Sequence, residues 1–197
     1  NFNNKEKIIS FVGKLNSSKG YDIFGKAIIK ILNEFTDWSS IVIGDEPREK
    51  LYFNHPNLKL YGFKKNSFIL NILKKTSVSV VPSRWDEPFG RSSLEASSRG
   101  CALIISNKGG LTETTKDALI LNTVDEIEIY KKIKSLILNK KLRLKLQKNT
   151  YKNFFLTNDY VSKLIDDLRI NANNFLKLSK NIKILHITNL NERFDGR

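Results

Sequence analysis

Apolar residues are arranged along this chain in short runs that alternate with longer stretches of helical spacing. Lys7-Ile8-Ile9-Ser10-Phe11-Val12-Gly13 is an apolar run closed by glycine, and Tyr21 to Phe35 then carries Ile23, Phe24, Ala27, Ile28, Ile31, Leu32 and Phe35 at helical spacing. The alternation recurs, predicting strands over residues 7–12, 40–44, 58–62, 77–81, 101–106 and 118–121. Helices are predicted over Asn66 to Lys75, over a small-residue stretch after Gly90, and over Asp125 to Asn149. A last one runs from Asn158 to Leu178, with Val161, Leu164, Ile165, Leu168 and Phe175 on one face. Strands rich in β-branched residues and interleaved with helices predict an α/β fold, a Rossmann-like parallel sheet with helices on both faces. The carboxyl ends of such strands line one edge, where doubly wound sheets hold their ligands.

Ile182-Lys183-Ile184-Leu185-His186-Ile187-Thr188 is one more strand-like run, followed only by the polar Asn189 to Arg197. A domain rarely stops on a strand with no returning element. The expected division is therefore one domain over residues 1–178 and a linker with the start of another unit over 179–197. A strand that joins a sheet edge or a swapped dimer is the alternative. His186, alone on an apolar strand, reads as a packed residue.

Composition narrows the classes. With 197 residues, 40% apolar and 27% charged, the chain can bury a sizeable core. No run of about 18 apolar residues is present to span a membrane, and no basic-plus-apolar leader marks export. Cys101, the single cysteine, sits in an apolar stretch and reads as a reduced core residue, which favours the cytoplasm. The absence of methionine and the opening Asn1-Phe2-Asn3 lead us to expect a piece of a longer protein. A formal charge of +14 would suit nucleic acid, an anionic membrane surface or phosphorylated substrates. Lysine far outnumbers arginine, and asparagine and isoleucine are abundant, as in general compositional drift. No basic stripe is interleaved with aromatics that could stack on bases, so nucleic acid is not the expected partner. Peripheral contact with the inner face of a membrane stays open.

The chemistry concentrates in Trp85-Asp86-Glu87-Pro88-Phe89-Gly90-Arg91-Ser92-Ser93-Leu94-Glu95-Ala96-Ser97-Ser98-Arg99-Gly100, behind the buried strand that ends at Pro82. Phe89-Gly90 lets backbone approach a ligand, and amides of Gly90, Arg91 and Ser92 stand at the positive end of the following helix, where a diphosphate fits. Glu87 precedes the helix and Glu95 lies about a turn inside it, so the two carboxylates reach different parts of one extended ligand. A carboxylate accepts both protons of a vicinal diol, as in ribose or sugar recognition. Reading the pair as a glycosidase acid and nucleophile requires groups that face each other across one bond, which a loop and its adjoining helix supply less naturally.

Glu-Pro-Phe-Gly-x-x-x-x-Glu-Ala-x-x-x-Gly behind a strand resembles the donor-binding, C-terminal half of retaining GT-B glycosyltransferases of the glycogen synthase-like, group 1 kind. The resemblance covers residues 7 to 175 and three motif regions. It implies that Glu87 contacts the donor sugar, that Glu95 contacts the nucleotide ribose, and that Phe89, Gly90, Arg91 and Ser92 contact sugar and diphosphate. Gly13-Lys14-Leu15 through Lys19-Gly20 is similar to the family's first loop, where two cations meet the diphosphate. Lys14 replaces the commoner arginine, a point charge instead of a bidentate fork. Backbone near Gly44 and Phe63-Lys64 would line the nucleobase pocket, and Gly109 and Gly110 would approach the donor from the side opposite Phe89. The chain departs from the pattern at Lys116-Asp117-Ala118-Leu119-Ile120-Leu121, where relatives have two glycines.

The resemblance further implies a nucleotide-diphospho-sugar donor, a glycan or lipid-linked acceptor, an acceptor domain missing from this chain, and no cofactor or required metal. Catalysis would be positioning and charge stabilisation by Glu87, Lys14 and Lys19, with the fragment inactive alone. The run after residue 180 resembles the start of a second such enzyme. Alternatives are a degenerate noncatalytic scaffold domain, a basic nucleic-acid-binding domain, or, disfavoured by Glu-Pro-Phe-Gly, nucleotide-sugar epimerisation. No Gly-x-Gly-x-x-Gly fingerprint is present, which disfavours NAD.

Overall fold

The six apolar runs form one parallel sheet: β1 (Glu6–Val12), β2 (Ser39–Ile43), β3 (Leu58–Leu60), β4 (Thr76–Val81), β5 (Ala102–Ser106) and β6 (Ala118–Leu121), hydrogen-bonded in the order β3-β2-β1-β4-β5-β6. The computed structural model describes residues 5–178, so the run around His186 and the unit expected over 179–197 lie outside the described residues. From β1 the chain moves outward through β2 and β3, then returns to the other side of β1 for β4 and moves outward again. That reversal makes the gap between the carboxyl ends of β1 and β4 a topological switch point.

Every residue of β4 and β5 is buried; β5 is accordingly an apolar run up to Ser106, whereas β4 carries Thr76, Ser77 and Ser79 among its valines, and Ser77 is satisfied by donating to the Glu6 carbonyl at 2.6 Å. On one sheet face Ile9, Phe11, Val78, Val80 and Ile104 pack with α1 (Tyr21–Glu34) and α4 (Glu126–Leu138). On the other, Val81, Leu103 and Ile105 pack with Leu73 of α2 (Asn66–Lys75) and Ala96 of α3 (Arg91–Ser98). Cys101 is buried there, and burial pushes its thiol up to about 11. Its Sγ donates to the Leu73 carbonyl, which also accepts from Lys5, whose ammonium reaches the Lys74 and Thr76 carbonyls and so closes the end of α2.

The helical region expected over Asp125 to Asn149 comprises two helices, α4 and α5 (Lys140–Lys152). Asn139 separates them: its side chain accepts from the Leu142 amide at 2.9 Å, a cap that apolar spacing alone does not reveal. Asp125 caps α4 in the same way through Glu128. Inward-facing Leu146 is buried, Gln147 donates to the Ser77 carbonyl at 2.9 Å, and Thr150 donates to the Asp117 carbonyl at 3.2 Å. Since Ser77 is the second residue of β4 and Asp117 directly precedes β6, α5 is fastened to the amino ends of the strands.

A second unit begins at Thr157 and contains α6 (Asn158–Leu178). The expected amphipathic helix forms, with Val161, Leu164, Ile165 and Leu168 all exposed; the side chain of Phe175 lies outside those described.

Candidate functional site

A cleft of about 510 Å³ opens at the switch point, a volume that suits a nucleotide-sized ligand. Gly13 and Lys14 leave β1 at its floor, with Lys19 farther along the same loop; Ser83 and Glu87 come from the loop after β4; Phe63, Lys64 and Asn66 come from the turn into α2; Arg91, Ser92 and Glu95 come from α3. Five cationic side chains, Lys14, Lys19, Lys64, Lys65 and Arg91, share the walls with two carboxylates, Glu87 and Glu95. The excess of positive charge selects anionic ligands.

Glu87 and Lys19 form an ion pair at 2.5 Å, partly screened from solvent. The two loops are clamped by Arg84, to which no motif in the sequence points. Its guanidinium makes a fork with the Asp22 carboxylate at 2.6 and 2.9 Å and donates to the Ser17 carbonyl at 2.5 Å. The backbone amides of Arg84 and Trp85 both donate to the Ser18 carbonyl. Burial pushes the Asp22 carboxyl up, but the Arg84 fork outweighs it and holds the group below its usual range. On the other side, Asn16 donates to Glu46 and the Ser17 amide to Glu49 at 2.9 Å, so the loop is held from the β2 side as well.

Glu95 lies at the α2 end of the cleft. Burial raises its carboxyl above the usual carboxylate range against the opposing pull of Arg91. Asn66 donates to Glu95 Oε1 at 2.7 Å, and Arg91 reaches the same oxygen at 3.5 Å. Both contacts use one oxygen, which leaves Oε2 to accept from hydroxyl donors. The sequence does not point to Asn66 either: an asparagine at the start of an ordinary helix carries no signal until Glu95 is placed beside it.

Of the residues anticipated from the sequence, Gly13, Lys14, Lys19, Phe63, Lys64, Glu87, Arg91, Ser92 and Glu95 converge on the cleft. Gly44, Phe89, Gly90, Gly109 and Gly110 do not line it. A Cβ on Gly44 would stand 1.8 Å from the Gly13 carbonyl oxygen, so this glycine lets the ends of β1 and β2 lie together. Gly109 forms a parallel bridge with Glu87, and a Cβ there would meet the Glu87 carbonyl oxygen at 2.3 Å. Gly110 donates its amide to that oxygen at 2.7 Å. The pair therefore backs the Glu87 segment directly. The loop at Lys116 to Leu121 that lacks the two glycines still delivers β6 in full register with β5. Among the described residues no three His, Cys, Asp or Glu side chains converge as a metal site would need, and no helix is long and apolar enough to cross a membrane.

A doubly wound α/β domain with a cationic crevice at its switch point defines a Rossmann-like class. Comparison with known families goes further: residues 1–153 match the family model of glycosyl transferases group 1, and the chain belongs to that family. An uncharacterized glycosyltransferase of Methanocaldococcus jannaschii is 32% identical over 134 residues, which cover 64% of this chain and 33% of that protein. The chain thus spans about a third of that relative's length. Among solved structures, the C-terminal domain of a glycosyl transferase group 1 family protein from Francisella tularensis is 26% identical, with a TM-score of 0.63 over 74% of this chain and 82% of that one. HepE from Anabaena, in complex with UDP-glucose, shares the fold at 17% identity and a TM-score of 0.64, over 75% of this chain and 43% of that one.

Proposed function

We propose that this chain is the donor-binding, C-terminal part of a retaining glycosyltransferase, which holds a nucleotide-diphospho-sugar while an acceptor approaches from a part of the enzyme outside these residues. The observation that carries the reading is the arrangement of one cleft: Lys14 and Lys19 beside Glu87 at the β1–β4 gap, and Glu95 at the α2 end. The resemblance to an isolated C-terminal domain, matched over 82% of its length, supports the placement within the larger enzyme. The UDP-glucose held by the structurally similar HepE supports the ligand class.

In this reading the two ammonium groups and the first amides of α3 take the diphosphate, and they stabilise its growing charge as the glycosidic bond to the leaving group lengthens. No metal is required, because fixed cations supply the compensating charge. Glu87 accepts from donor-sugar hydroxyls, and Glu95 accepts from the ribose diol through Oε2. The acceptor is a glycan or lipid-linked sugar in surface-polymer or glycolipid assembly, reached from the cytoplasmic side of a membrane. The chain alone binds donor and does not turn it over at a useful rate, since acceptor groups are missing.

Calorimetric titration with UDP, GDP and ADP, each beside its sugar conjugates, tests the reading, with Glu95→Ala as control. Binding selective for one base and weakened by the substitution is the expected result. Binding of all nucleotides alike and insensitive to Glu95→Ala would overturn it.

A further inference from the structure

We propose that α5 presents a lysine stripe that docks on an anionic lipid surface, at the end of the domain opposite the donor cleft. The helix reads KKLRLKLQKNTYK and contains no acidic residue. Lys141, Lys145, Lys148 and Lys152 are exposed and follow one another at i, i+4, i+7 and i+11. At about 100° per residue they fall within a sector of about 60°, and at about 1.5 Å per residue they extend along roughly 16 Å.

The opposite side of the helix fixes their direction. Arg143 lies over the Trp38 ring at 5.1 Å and donates to the Ile137 carbonyl at 3.0 Å. Leu146 is buried, and Gln147 and Thr150 are tied to Ser77 and Asp117. These four inward residues average about 180° from the four lysines on the same helical wheel, so rotation that would hide the stripe would break all of these contacts. None of the four ammonium groups pairs with a carboxylate of a described residue. At the helix end Asp117 instead accepts from Asn153 at 2.8 Å.

The partner's chemistry is set by the side-chain type. Four lysines in a row are mobile point charges on an amphipathic helix, suited to a field of phosphate headgroups; they lack the planar forks of arginine that read fixed carboxylate or phosphate geometry. Because Ser77 and Asp117 mark the amino ends of the strands, docking here leaves the cleft at the carboxyl ends open. Neither the stripe nor its direction depends on the transferase reading.

The test is co-sedimentation of the full 197-residue chain with phosphatidylcholine vesicles, with and without about one third phosphatidylglycerol, at low and high salt. One variant carries Lys141→Gln, Lys145→Gln, Lys148→Gln and Lys152→Gln. A second removes the same charge elsewhere through Lys26→Gln, Lys50→Gln, Lys59→Gln and Lys74→Gln, all at exposed positions. Unchanged thermal melting establishes that both are folded. The expected result is salt-sensitive binding to anionic vesicles only, reduced roughly six-hundredfold by the stripe variant, since each surface lysine contributes about fivefold, and far less by the control. Equal losses in both variants, equal binding to neutral vesicles, or no vesicle binding by the parent chain would overturn it. So would preferential capture of the stripe by an oligonucleotide that displaces the vesicles.

Discussion

Lys19 and Glu87, 68 residues apart in the chain, meet at 2.5 Å across the gap between the loops that leave β1 and β4. Each neutralises the other, so a diphosphate that takes Lys19 must compete with the carboxylate. Glu87→Gln removes the competitor. We expect this variant to bind bare nucleoside diphosphate severalfold more tightly while it loses preference for the sugar conjugate. Lys19→Ala should weaken both ligands on the order of tenfold, about 1.4 kcal/mol. Titration calorimetry on the two variants decides it, and a uniform loss for Glu87→Gln would refute the competition.

Arg84 positions the loop that carries Lys14 and Lys19 without lining the cleft. Arg84→Lys keeps the charge but loses the fork on Asp22 and should weaken nucleoside diphosphate binding about tenfold with little change for the nucleoside. A double-mutant cycle with Asp22→Asn should give a coupling of about 1 kcal/mol from chemical denaturation, a partly exposed pair being screened by solvent. The folded-state pKa of Asp22 is depressed, so the pair's contribution is present above the ordinary aspartate range and lost as pH falls below about 4. Asp22→Asn should flatten that part of the acid unfolding curve.

Glu95 has the opposite linkage. Burial raises its folded-state pKa, so the folded form holds its proton more tightly than the unfolded chain does, and stability falls as pH rises upward from the ordinary glutamate range of about 4.3. Glu95→Gln should therefore melt slightly higher than the parent at pH 7 while binding ribonucleotides on the order of tenfold or more weakly, as a charged acceptor is lost. A 2′,3′-dideoxynucleotide should bind both proteins alike. Asn66→Ala, which leaves the carboxylate without its 2.7 Å donor, should shift in the same direction for binding.

Gly109 tests how Glu87 is supported. Its φ of 52°, together with the Glu87 carbonyl oxygen 2.3 Å from where a Cβ would stand, leaves no room for alanine. Gly109→Ala should cost about 1–3 kcal/mol, a fall of roughly 2–4 °C per kcal/mol for a domain of this size. Donor affinity should drop with it in a titration, because the displaced segment carries Glu87. Gly62→Ala, with open space around its Cβ, is the control for backbone strain alone.

The sheet is legible in the sequence because its strands are short, mostly apolar runs, most of them closed by glycine or proline; only the central strands are buried throughout, while β3 at one edge exposes Lys59 and Leu60. Glu87, Glu95, Lys14 and Lys19 are legible through their motifs, whereas Lys65, which also lines the cleft, belongs to none. Asn139 is not, since the apolar period continues across its cap. Arg84 and Asn66 are not, because their partners Asp22 and Glu95 lie 62 and 29 residues away and meet them only through the fold. The glycines at 44, 109 and 110 read in the sequence as room for a ligand, whereas in the structure their space is taken by neighbouring backbone.

The central placement of β1 has a consequence for how the chain acquires its cleft during synthesis. Lys14, Phe63 and Lys64 are made before the wall that faces them, which arrives only with β4; that strand must insert beside β1 after some seventy residues have been looped out, and loop-closure entropy makes such non-local pairing late. A nascent chain that has emerged only through α2 can build β1, β2 and β3 and remains unable to grip a nucleotide. Ligand-dependent protection from proteolysis should then appear in one step, when Glu87 and Glu95 clear the ribosome.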